Sequence, residues 1–196
     1  MYRRWADLSS DDEVRQSLMQ RSSENYAYAT SLSPNNAILW NEWSLLYYYG
    51  LRDMAGFERT HQHSLDLDPG FDQTWLICGD TSRDQGDLEG AIHCYEEALE
   101  LSPRNAQVWR VLADAYIAQQ QWEDAITALA QVAELQPNSD DIWNIHQILA
   151  QLYIQTGQRE QALVQARLAL ALAPEDQQDT LQGLIAQIQS SETSPQ

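Results

Sequence analysis

The chain has 196 residues with 29 acidic against 11 basic side chains, and all the basic ones are arginine, because no lysine occurs. A formal net charge of -18 without any basic stripe argues against nucleic-acid binding, whose affinity comes from neutralised phosphates. Only 8 Gly and 6 Pro leave little punctuation for a sheet protein rich in tight turns, so long helices are expected. No apolar stretch approaches the ~18 residues of a membrane span, and Met1-Tyr2-Arg3-Arg4-Trp5 is not followed by the apolar core of a secretory leader.

In chain order, Tyr2 to Leu8 is too short for a full helix, and Ser10 with Glu13 forms a capping-box pattern that opens one. Tyr26, Ala29, Leu32 and Pro34 then stand 69 residues before Tyr95, Ala98, Leu101 and Pro103, which is two periods of 34 plus one inserted residue. Residues 1–36 therefore read as the second helix of an incomplete repeat. That repeat is either the remnant of a longer protein or a natural terminal cap. Residues 37–70, 71–104, 105–138 and 139–174 follow as four helix pairs, bounded by Pro34, Pro69, Pro103, Pro137 and Pro174 at spacings of 35, 34, 34 and 37.

Inside the period, Trp75 and Trp109, Gly79 and Ala113, Ser82 and Tyr116, Ala91 and Ala125, and Ala98 and Val132 all lie 34 apart. The last repeat carries the landmarks displaced by 37, as Ala150, Tyr153, Ala162 and Ala169. Trp109, Leu112, Ala113 and Tyr116 mark one face of a first helix, and after a break at Gly86, Gln120 or Gly157 a second helix presents small residues that let the pair approach closely. The first repeat is degenerate, with Phe57, His61 and Ser64 in place of Ala91, Tyr95 and Ala98, and its packing is expected to be the least regular. In the fourth, Trp143 keeps its place while everything later shifts by three, so its first helix is expected to start almost a turn early. Leu181, Leu184, Ile185 and Ile188 form the stripe of a capping helix over 175–190, and the polar residues 191–196 read as a flexible tail.

These residues resemble the tetratricopeptide-repeat family, whose pattern runs Trp, Leu, Gly, Tyr, then Ala, Phe or Tyr, Ala and a closing Pro, and the likeness covers about residues 37–174. The resemblance implies an all-α solenoid, a right-handed superhelix of antiparallel helix pairs with a concave groove, acting as a scaffold for a polypeptide partner. Leu32 to Trp43 is also similar to repeat segments that trail bacterial O-antigen ligase-like membrane proteins. That resemblance implies an alternative role as the accessory domain of a larger polysaccharide-ligating enzyme.

No catalytic constellation is visible, and neither a metal nor a cofactor is expected. His61 and His63 are two apart and point roughly 200° from one another on a helix, and His93 with Cys94 is separated by about 100°. Cys78 and Cys94 read as small core residues. Asp11-Asp12-Glu13, Glu96-Glu97 and Asp140-Asp141 suit helix starts and solvated faces. No phosphate-cradling glycine loop or nucleophile elbow occurs.

With Trp109, Leu112, Ala113 and Tyr116 turned inward, the opposite face of that helix carries Gln107, Arg110 and Asp114. By the same register the other first helices offer Asn41, Leu45 and Tyr48, then Gln73, Leu76, Asp80 and Arg83, then Asn144, Gln147 and Gln151. The family resemblance places this face in the groove, where amides would pair with a peptide backbone, Arg83 and Arg110 would grip carboxylates and Tyr48 would anchor an apolar side chain. The basic clamp of the family's chaperone-tail binders is absent, since Leu45, Leu76, Asp80 and Asp114 occupy its positions. A further reading is self-association through the incomplete end repeats. Nothing here fixes the compartment: the chain as given is expected to be soluble, cytoplasmic by default, with a soluble domain of a membrane protein as the alternative.

Overall fold

A computed structural model describes residues 12–190, which among themselves contain ten α-helices, one π-helical turn and no strand. The helices are α1 (Asp12–Leu32), α2 (Ala37–Leu45), α3 (Met54–Leu67), α4 (Asp72–Asp84), α5 (Leu88–Leu101), α6 (Ala106–Ala118), α7 (Trp122–Leu135), α8 (Ile142–Gln155), α9 (Arg159–Leu172) and α10 (Glu175–Ser190). The π turn, Leu46–Leu51, prolongs α2. The expected cap at Ser10 and the expected flexible tail lie outside the described residues. The chain divides into two compact units, residues 1–77 and residues 78–196, with the boundary inside α4.

Four of the helices begin at a side-chain cap. Asn36 and Asn105 cap α2 and α6 by accepting backbone N–H bonds from Ile38 and Leu39, and from Gln107 and Val108. Asp53 and Asp87 cap α3 and α5 through Gly56 and Gly90. Between the helices of a pair the chain must turn through the left-handed region, and it does so at Arg52, Gly86, Gln120 and Gly157, with φ of 55°, 81°, 59° and 72°. Glycine takes that conformation without a Cβ penalty. Gln120 does not have that advantage.

A second device joins successive repeats. The indole nitrogens of Trp40, Trp75 and Trp109 donate to the carbonyls of Pro34, Pro69 and Pro103, six residues back, at 2.7, 2.9 and 2.9 Å. Each bond ties the entrance of a first helix to the proline that ends the preceding repeat. In the fourth repeat His146 stands at the equivalent place, and its Nδ1 lies 2.7 Å from Oε1 of Gln165 instead.

In the second unit the core is a ladder of small residues. Ala91, Ala98, Ala113, Ala125, Ala150, Ala162, Ala166 and Ala169 are each 0% exposed, so the helices meet almost backbone to backbone. A Cβ built at Gly79 would fall 2.2 Å from the Tyr95 ring, which shows how closely α4 and α5 pack there. Larger side chains fill the spaces between pairs: Ile126, Leu129, Val132, Ile142, Ile145, Leu149 and Leu152 form one buried cluster with Ala113 and Ala125. Leu181 and Ile188 of α10 close the ladder over Ala169 and Ala166. Cys78 and Cys94, expected as separate core residues, are instead joined as a disulfide between α4 and α5, with Cα atoms 5.8 Å apart.

The first unit is less regular. The residue that lengthens the first proline spacing to 35 is absorbed as the π turn, closed by Arg52 in the left-handed conformation. The buried stripe of α1 is Met19, Ser23 and Thr30, one residue round from the Ser22 and Ala29 that the period selects. Its partners explain the rotation: Trp43 of α2 donates its indole N–H to Ser23 Oγ at 2.9 Å, and Met19 lies against Gly50 in the π turn. Across α2 and α3 the contact is polar, with Ser64 donating to the Ala37 carbonyl at 2.9 Å. His61, stacked on Phe57 with centroids 5.1 Å apart, is buried with neither ring nitrogen hydrogen-bonded.

In the fourth repeat the three additional residues are divided. The loop between α7 and α8 takes two and α8 starts one residue early, not almost a turn, because Asn138 to Asp141 remain outside the helix. Trp143 thereby moves into the cluster formed by Ala169, Ala173 and Leu181.

Two measurements follow from these packings. Replacing Gln120 by Gly should raise stability by about 0.5–1 kcal/mol, read as a higher urea midpoint at unchanged slope, since the left-handed strain exceeds the added chain entropy. Burial lowers the His61 pKa from 6.5 to about 4 in the folded state. The unfolded chain therefore takes up this proton first, and stability falls as pH drops from 6.5 towards 4, by about 1.4 kcal/mol per unit. His61→Leu, which copies Leu129 at the same repeat position, should remove about 2 kcal/mol of the stability difference between pH 7 and pH 5 in urea titrations.

Candidate functional site

The face opposite the packed side of the first helices carries a linked set of charges in the second unit. On α4, Arg83 lies 3.2 Å from Asp80 and 3.6 Å from Asp84. Its guanidinium also donates to the Tyr95 hydroxyl at 3.2 Å, and that hydroxyl donates to Asp80 Oδ1 at 2.9 Å. Tyr95 is 0% exposed as a residue, so its ring crosses the helix pair and delivers one polar atom to the open face. Burial and the Asp80 carboxylate together push the phenol far above its ordinary pKa. Partial burial pulls the Arg83 pKa down, but Tyr95, Asp80 and Asp84 outweigh it and the net shift is upward.

One repeat further on, Arg110 of α6 pairs with Asp141, just ahead of α8, and this bond from Arg110, with another from Ser139, holds the Asp141 carboxyl below its usual range. Asp114 sits within the field of both arginines. Partial desolvation of its carboxyl raises its pKa, against the pull of Arg110 and Arg83. The order along this face is thus Asp84 and Asp80 with Arg83, then Asp114, then Arg110 with Asp141: four carboxylates to two guanidiniums. Gln107 is exposed at the start of α6, and on α8 Asn144 and Gln147 are half-buried and Gln151 is exposed.

The arginines are therefore not the open grips for ligand carboxylates that the sequence suggests, since both are already paired and the set around them is acidic. The sequence reading also missed Tyr95, Asp84 and Asp141. The signal for Tyr95 was present: tyrosine rather than phenylalanine at a core position implies a partner for the hydroxyl. Asp141 is 31 residues from Arg110, and no local pattern connects the two.

The remaining residues of the expected face belong to the first unit. Gln73 is exposed, and Leu45 and Leu76 are half-buried. Asn41 and Tyr48 are corrected here, because they are only 2% and 7% exposed. The widened π turn rotates Tyr48 onto Phe57, with ring centroids 5.3 Å apart, so it is a core residue and not a free anchor. Asn41 Oδ1 is buried without a hydrogen-bond partner. Among the described residues no group of three His, Cys, Asp or Glu side chains is arranged to hold a metal ion. No helix among them is long and apolar enough to cross a membrane.

Antiparallel helix pairs of about 34 residues that meet at small side chains and stack on the next pair define a helical-hairpin repeat protein. Residues 82–149 match one tetratricopeptide-repeat family model and residues 144–176 match another. Residues 82–176 thus carry tetratricopeptide repeats. Similar solved structures include MamA, at 17% identity and a TM-score of 0.66 over 84% of this chain and 96% of that one. YrrB, a tetratricopeptide protein described as having an unusual peptide-binding site, aligns at 15% identity and a TM-score of 0.70, over 87% of this chain and 84% of its own. PilF of Pseudomonas aeruginosa aligns at 17% identity and a TM-score of 0.57, over 80% and 68%. No curated protein matches the chain.

The hydroxyl of Tyr95 gives a direct test of the charge network. Tyr95→Phe keeps the ring and removes both bonds, and should lower stability by roughly 1–2 kcal/mol in chemical denaturation. A loss near zero would show that water replaces the hydroxyl without penalty.

Proposed function

We propose that this protein-interaction scaffold holds an extended polypeptide against the α4, α6 and α8 face of its second unit. The observation that carries the reading is the ladder of paired charges, which presents fixed donors and acceptors from successive repeats, with Asp80 and Asp114 one 34-residue period apart. A peptide laid along it meets Gln107, Asn144, Gln147 and Gln151, whose amides bond to main-chain groups whatever the side chains are. Asp80, Arg83, Arg110 and Asp114 supply the charged contacts. Because these pairs are made before a ligand arrives, their rotamers need little further ordering on binding. The peptide-binding site named for YrrB, a chain of the same fold, supports the same class of ligand.

The acidic surplus sets the direction of selectivity. A ligand with cationic side chains satisfies Asp114 and the outer oxygens of Asp80 and Asp141, and an acidic ligand meets repulsion from them and from the whole chain. Arg83 and Arg110, with side chains 37% and 40% exposed, act as wet contacts and not as a buried clamp.

The test is calorimetric titration of the wild type and of the double variant Arg83→Ala/Arg110→Ala with a partner recovered by affinity capture, after both proteins are shown to melt alike. Losing the bonds that the two guanidiniums donate to peptide carbonyls should weaken binding by about 1 kcal/mol, well below the loss expected of buried pairs, because the freed carboxylates attract a cationic ligand and offset part of the loss. Equal affinities would move the peptide off this face.

A further inference from the structure

On the other side of α6 the second unit has an open cavity of about 390 Å³ between α5 and α7. Its lining includes Trp109, Leu112 and Tyr116 of α6, and the carboxylates of Glu96 and Glu100 on α5 and Asp124 on α7. The three α6 residues lie about 160° round the helix from Gln107, Arg110 and Asp114, given 100° per residue, so this surface is separate from the charged ladder. Two aromatic rings remain half-buried here, and the indole N–H of Trp109 is already committed to the Pro103 carbonyl. Tyr116 donates its hydroxyl to Glu96 at 2.7 Å, which fixes that carboxylate at the mouth.

We propose that this cavity is a docking pocket for an arginine or lysine side chain of a basic polypeptide partner. The stem of such a side chain lies over Trp109 and Tyr116, where the ring faces attract its cation, and its head reaches Glu96, Glu100 and Asp124. Charge complementarity selects this occupant. Three carboxylates converge on an apolar floor, and among the described residues no ion pair joins any of them to a basic side chain of the chain itself. A second copy is the poorer occupant, because each copy carries a net charge of -18 and has no lysine to offer. The Arg and Lys fork and stem differ, but the aromatic floor and carboxylate rim serve both.

The pocket deepens the scaffold reading by assigning a second contact surface, and it does not depend on the ladder face. The probe is an eight-residue peptide of alternating Arg and Ala, with a citrulline-for-Arg peptide of the same shape as the neutral control, both titrated into the full chain at physiological salt and followed by amide NMR. Shifts should concentrate on α5, α6 and α7 around Tyr116, and the citrulline peptide should give none. Glu100→Gln/Asp124→Asn should weaken the Arg peptide by about tenfold, and Glu134→Gln/Glu160→Gln, of equal charge change but away from the pocket, by less than about twofold. Thr127→Arg, which places the chain's own cation at the rim, should also abolish the shifts. Equal losses in the two double variants would reduce the binding to diffuse attraction and overturn the proposal, as would shifts confined to α4 and the Arg110 side of α6. A dimer in sedimentation that Thr127→Arg dissociates would give the pocket to a second copy and overturn it too. Retained binding in Arg83→Ala/Arg110→Ala, with loss in Glu100→Gln/Asp124→Asn, separates this pocket from the ladder face.

Discussion

The close approach of two helices at side chains of one carbon or none is the constraint on which the second unit depends. Ala91, Ala98, Ala125, Ala162 and Ala169 are wholly buried, and each lies where a larger group would force its helix pair apart. Once the pairs are this close, the remaining apolar surface of each faces its neighbours along the chain, and Leu129, Ile145 and Leu149 fill that space. The bond from the tryptophan indole to the proline carbonyl then fixes where each new pair begins. A binding surface on such a scaffold inherits its spacing from the core, because Asp80 and Asp114, one period apart, are set by the same small-residue contacts that set the helices.

The core was legible in the sequence because small residues, prolines and aromatic landmarks recur in phase, and periodicity reports burial directly. The same signal carried less about the exposed face. The register correctly separated Trp109, Leu112 and Tyr116 from Gln107, Arg110 and Asp114, since these differ only by angle around one helix. It did not show that Arg110 would find Asp141 across a repeat boundary, or that the Tyr95 hydroxyl would reach Asp80 and Arg83. Those pairings depend on how neighbouring helices sit in three dimensions. Tyr48 was misplaced for a related reason: angular bookkeeping assumes a uniform helix, and the extra residue is taken up by a wider turn beginning at Leu46. The proline spacing of 35 announced an insertion without saying where it lay.

Helix α6 has a distinct surface on each side. One side presents a ladder in which acids and bases already satisfy one another, suited to reading a peptide backbone. The other presents aromatic rings beneath carboxylates that no arginine of the described residues pairs, suited to a single cationic side chain. In a strongly acidic chain both favour basic ligands, by different means: the ladder through geometry and a small surplus of charge, the cavity through desolvated contact with a ring and a concentrated negative rim.

The π turn at Leu46–Leu51 has a consequence for how such a chain can change length. An extra residue inside a regular helix rotates everything after it by about 100° and would turn a buried stripe towards water. Here the widened turn and the left-handed Arg52 take up the displacement within one bend, and α3 still brings Phe57, His61 and Ser64 to the core. The bend thus works as a length buffer, in which one residue more than the regular period is taken up before α3 begins and needs no compensating change further along the chain.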